Sequence, residues 1–135
     1  MTGEGRRRNM QTGQNAMPPM NKGLRLQAIL KETGEGPADQ LAVFALLTLG
    51  LVESLANGVL SASGAVRAFF TADNCLYVRK QLRDKAADEL MGCGVQLPDL
   101  FDALPAEEAQ REFQRELGAM RALCLELLQR RRSVA

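Results

Sequence analysis

Apolar residues recur along this chain at intervals of three and four, and no stretch alternates strictly between apolar and polar positions as a half-buried strand would. The pattern predicts an all-α protein: a compact bundle of four to five helices after a disordered N-terminal tail. Residues 1–22 show no apolar periodicity and are rich in Gly, Gln, Asn, Pro and Arg. Such a segment buries too little surface to offset its ordering entropy, so it reads as a disordered basic tail. Residues 23–132 read as a single helical-bundle domain.

Within that domain, Leu24, Leu26, Ile29 and Leu30 suggest a short docking helix, closed by the Gly- and Pro-containing break "TGEGP" at 33–37. Pro37 then suits a first helical turn, with Asp39 near the positive end of the dipole. The twelve residues Leu41–Val52 carry no charge, and the run ends at Glu53 with the stop signal Asn57-Gly58. A membrane span needs about 20 mainly apolar residues, so this run is expected to be the central core helix, with no membrane partner. Thr48 and Gly50 are small enough to let a neighbouring helix come close. A short helix follows, capped by Ser61 or Ser63, with Val66, Phe69 and Phe70 turned inward.

A longer helix is expected over about 72–91, capped by Thr71 or Asp73. Its stripe is Cys75, Val78, Leu82, Ala86 and Leu90, and Gly92 and Gly94 are expected to end it. Residues 95–105 read as a connector with a helical turn or two, in which Pro98 starts the turn. A last helix at about 105–130 presents Phe113, Leu117, Met120, Cys124 and Leu127, with Leu123 and Leu128 widening the stripe beyond a coiled-coil seam.

Composition sharpens this picture. Five Phe, one Tyr and no Trp imply an aliphatic core and leave few platforms for stacking bases. The net charge of +1 is unevenly spread: residues 1–31 hold six Lys/Arg against one acid, and residues 111–135 hold six against three. The runs Arg6–Arg8 and Arg130–Arg132 read as solvated tails, so nucleic acid is a possible but weak partner. The N-terminus has a signal peptide's arginines without the apolar stretch that must follow, and it is not read as one. Cys75, Cys93 and Cys124 are widely spaced and odd in number, which fits free thiols and a cytoplasmic location.

The chain contains no His. That removes Ser-His and Cys-His nucleophile pairs and His-ligated metals. Phosphate-binding Gly loops are also missing. No catalytic residue, cofactor or metal is assigned, and the expected function is a non-enzymatic, regulatory protein-interaction module acting through helix-face docking on a protein partner or a second copy. The alternatives are a nucleic-acid accessory protein using its Arg runs, and a small-molecule binder or enzyme with a pocket in the bundle. Leu100, Phe101, Arg79 and Arg83 are the candidate partner-binding residues. Cys75, near the start of a helix with Arg79 four residues on, is a possible reactive thiol. Glu53 is a candidate buried acid with a raised pKa, although it more simply marks where the apolar face ends.

Overall fold

The computed structural model describes residues 23–33 and 36–134. Among the described residues it has six α-helices and no strand. They are α1 (Leu26–Thr33), α2 (Pro37–Ala56), α3 (Ala62–Ala68), α4 (Ala72–Tyr77), α5 (Lys85–Ala103) and α6 (Ala106–Val134), with a π-helical turn at Val78–Leu82. The expected tail, with Arg6–Arg8, lies outside the described residues.

Helix α6 packs between α2 and α5 and runs antiparallel to both. Glu53 of α2 pairs with Arg121, while Leu55–Gly58 share a cleft with Gln110 and Gln114 nearer the start of α6. Asp84, at the start of α5, pairs with Arg130 near the end of α6, and Phe101 meets Phe113 at the other end. The stripe Phe113, Leu117, Met120, Cys124 and Leu127 is buried throughout, as its spacing predicts. Helices α1, α3 and α4 close the remaining side. Here the core is more aromatic than composition suggests: Phe44 stacks on Phe69 at 6.3 Å between centroids, and Phe70 meets Phe69 edge-on at 5.2 Å.

The cap signals are placed as the sequence implies. Ser61 accepts from the Gly64 amide at 2.9 Å and Thr71 from the Asn74 amide at 3.2 Å. Gly58 adopts φ +75°, a left-handed conformation that glycine reaches without steric cost, and ends α2.

Three expectations are corrected. The helix expected over 72–91 is broken. A π-helical turn leads to Arg83, which has φ 50°, and Asp84 then caps a new helix by accepting from the Ala86 and Ala87 amides. The added turn keeps Val78, Leu82, Ala86 and Leu90 on one buried face, so the periodicity runs through the break without registering it. Second, Gly92 and Gly94 end nothing. Helix α5 passes through both and through Pro98, so the expected connector is helix. Gly94 is buried against the Phe70 ring, so close that a Cβ there would lie 2.3 Å from it. Third, α2 is not a central helix. Phe44, Ala45, Thr48, Val52 and Leu55 are buried, but Leu46 is 58% exposed and Gly50 is exposed, with nothing within 4 Å of where its Cβ would be.

Candidate interaction face

Helix α2 is the one helix among the described residues long and apolar enough to cross a membrane by length and composition, yet only 28% of its most apolar stretch is buried. Its inner stripe is satisfied. Even the Thr48 hydroxyl is paired, donating to the Phe44 carbonyl at 2.8 Å. What remains is an outer apolar surface. Leu46 and Gly50 are exposed, and Val43, Leu47 and Leu49 are half-buried.

The Glu53–Arg121 pair sets the register of the neighbouring helix. Stepping four and seven residues back from Glu53 reaches Leu49 and Leu46. Stepping four and seven forward from Arg121 reaches Leu125 and Leu128. Because the helices are antiparallel, both sets advance in the same direction along the same face, by about 6 and about 10 Å. Leu125 is 43% exposed and Leu128 half-buried. Leu46, Leu49, Gly50, Leu125 and Leu128 therefore form a two-helix apolar strip with the ion pair at one end.

Arg121 governs the chemistry of Glu53. Its hydrogen bond, opposed by partial burial and aided by its charge, holds the carboxyl below the ordinary carboxylate value. Glu53 is thus not a raised-pKa acid but an ionised partner at the border of the strip.

The four candidate partner residues do not converge. Arg79 is tied to Asp88 at 3.4 Å, and Arg83 is exposed at the helix break. Leu100 and Phe101 lie 12 and 13 residues further along α5 than Asp88, roughly 20 Å away at the helical rise. Leu100 is half-buried. Phe101 is 43% exposed and packs edge-on against Phe113 at 5.2 Å, at the mouth of an open cleft of about 680 Å³. Among the described residues Asp102 is the only ionisable group lining that cleft, alongside Asn57, Gln110 and Gln114. Leu26 and Leu30 of α1 are wholly buried, so this helix docks on the body and leaves only Leu24, just before it and 37% exposed, toward a partner.

Burial pushes the Cys75 thiol above its ordinary value, outweighing the lowering by Arg79, whose own partner Asp88 adds to the rise. The shift runs away from a thiolate. Burial also raises Cys93, and it pushes Cys124 up to about 11. Among the described residues, no three His, Cys, Asp or Glu side chains group as a metal site. Arg130, expected in a tail, belongs to α6 and bonds the Asp84 carboxylate at 2.7 Å.

One polar residue missed by the sequence reading holds the fold's least regular corner. Asn74 is 3% exposed. Its amide donates to the carbonyls of Leu24 (2.8 Å) and Phe69 (2.9 Å), and its Oδ1 accepts from the Leu26 amide at 3.1 Å. It thereby fastens the start of α1 to the α3–α4 turn. Gly23 completes the junction: its φ is +82°, and a Cβ there would lie 2.8 Å from the Arg67 carbonyl. The only local signal for Asn74 is its place three residues after the Thr71 cap. Comparison with family models, curated proteins and solved structures finds no match for this chain.

Proposed function

We propose that this protein is a non-enzymatic interaction module that docks the α2–α6 strip against an apolar helix face, on a second copy or on a partner protein. The observation that carries this reading is the apolar surplus of α2: its inner stripe fills the core, and Leu46 is left 58% exposed on the side where the Glu53–Arg121 register brings α6 and its exposed Leu125. Contiguous exposed apolar surface marks interaction sites in soluble proteins. The Glu53–Arg121 pair gives the strip a polar edge, as interface rims have.

The test is the mass of the full chain in solution, by light scattering, together with capture of partners from the native host. Each is run with wild type and with Leu46→Glu, whose helical content is checked by circular dichroism. Self-association or capture that wild type shows and Leu46→Glu abolishes is the expected result. A monomer with no partner sinks the reading, as does association indifferent to Leu46. Partition of the wild type onto lipid vesicles, with no protein association, assigns the strip to a membrane surface instead.

A further inference from the structure

A second surface, on the opposite end of α2 from Glu53, has the reverse character. Where α1, the amino end of α2, α3 and α4 meet, an open cleft of about 1120 Å³ is lined by Arg25, Lys31, Arg67 and Lys80. Among the described residues Asp73 is the one carboxylate lining it; Glu32 and Asp39, on the adjoining helices, do not. Among the described residues, none of the four cations forms an ion pair. Arg79, Arg115, Arg121 and Arg130 are paired, whereas Arg83, Lys85 and Arg111, like the four, are not, but none of these seven lines the cleft. Arg25 just before α1, Lys31 on α1, Arg67 on α3 and Lys80 in the π-helical turn thus bring unmatched positive charge to one concavity from positions scattered between 25 and 80.

We propose that this cleft binds the phosphodiester backbone of nucleic acid. A row of cations in a groove tracks a chain of phosphates, and counterion release drives such binding. Base recognition is not part of the arrangement. Tyr77, the cleft's single aromatic, is half-buried and bonds Gln40 through its hydroxyl at 3.2 Å, so its ring is not presented for stacking. Backbone contacts position without reading sequence, so binding is sequence-independent. The cleft shares no residue with the α2–α6 strip, so the two proposals stand or fall separately.

The experiment is fluorescence anisotropy of the full chain with short random-sequence duplex DNA and single-stranded RNA, between about 50 mM and about 200 mM salt. Arg67 and Lys80 are exposed and unpaired, so Arg67→Ala/Lys80→Ala leaves the thermal melt in place. It is expected to weaken binding about tenfold at the lower salt and to reduce the salt slope of log K by about 2. The control Arg111→Ala/Arg115→Ala, on α6, removes the same charge elsewhere and is expected to bind as wild type does. The proposal is overturned if the wild type binds neither probe at about 50 mM salt. It is equally overturned if the cleft variant binds normally, or if the α6 control weakens binding as much as the cleft variant.

Discussion

Asn74 shows how much one buried amide can hold. Three backbone groups, the Leu24 and Phe69 carbonyls and the Leu26 amide, depend on it in a place that no helix ladder reaches. Leaving a buried polar group unpaired costs about 1–3 kcal/mol. Asn74→Ala should therefore lower stability by about 3 kcal/mol or more in urea unfolding; a loss under about 1 kcal/mol would mean that water replaces the side chain freely. Two glycines of α5 make a sharper contrast. Gly92 is exposed, with nothing within 4 Å of a built Cβ, whereas at Gly94 that atom would strike the Phe70 ring. Gly92→Ala should stabilise the protein by about 0.5–1 kcal/mol through helix propensity. Gly94→Ala should destabilise it by about 1–3 kcal/mol through overpacking. Equal effects in the two melts would show that Phe70 does not sit where the packing puts it. Both residues look alike in "GCG"; only a partner 24 positions upstream in sequence separates them.

At the level of elements, the longest misreading has a simple cause. A π-helical turn inserts extra backbone, and Arg83 and Asp84 then restart the helix with the apolar face still in phase. Periodicity reports the face and not the continuity of the backbone behind it. The overlooked sign was Asp84 itself, an N-cap residue ahead of "KAADEL". Arg83 is the only described non-glycine residue with positive φ. Arg83→Gly should hold or raise stability by up to about 1 kcal/mol, and Arg83→Val should lower it by about 1–2 kcal/mol, since Cβ crowds the backbone in that conformation. If both variants melt alike, the chain does not turn there. Pro98 misleads in the opposite direction. It cannot donate to the Gly94 carbonyl, yet the helix runs on to Ala103, with Gly94 and Leu97 of that turn packed into the core.

For the molecule as a whole, acid sensitivity follows from two carboxylates that clasp α6. Arg121 holds Glu53 below its ordinary value. Burial raises Asp84, but the Arg130 bond and the Ala87 and Ala86 amides outweigh it, so its value is lowered too. A group whose folded pKa lies below its unfolded one stabilises the fold above the unfolded value, and that support is lost as pH falls through the folded value. Stability should thus be steady at neutral pH and decline once pH drops below about 4, the ordinary carboxylate range. The double variant Glu53→Gln/Asp84→Asn should flatten that decline in melting temperature, and an unchanged slope would place the acid sensitivity elsewhere.

By itself the sequence determined the helical class, the stop at Asn57-Gly58 and the inner stripe of α6, and it narrowed two caps to Ser61 or Ser63 and to Thr71 or Asp73. Each is a short-range property, written in 3.6-residue periodicity or in a side chain that reaches its own backbone. It also excluded histidine-based chemistry. It could not say which side of α2 faces outward, because Leu41–Val52 is apolar all round and carries no moment to orient it. Nor could it tell the glycine that ends a helix from the one that admits a phenyl ring. It did not show that Arg25, Lys31, Arg67 and Lys80 share a cleft, or that Leu46 and Leu125 share a strip. Those juxtapositions join segments as far as 55 and 79 positions apart, with no local signature, and packing alone decided them.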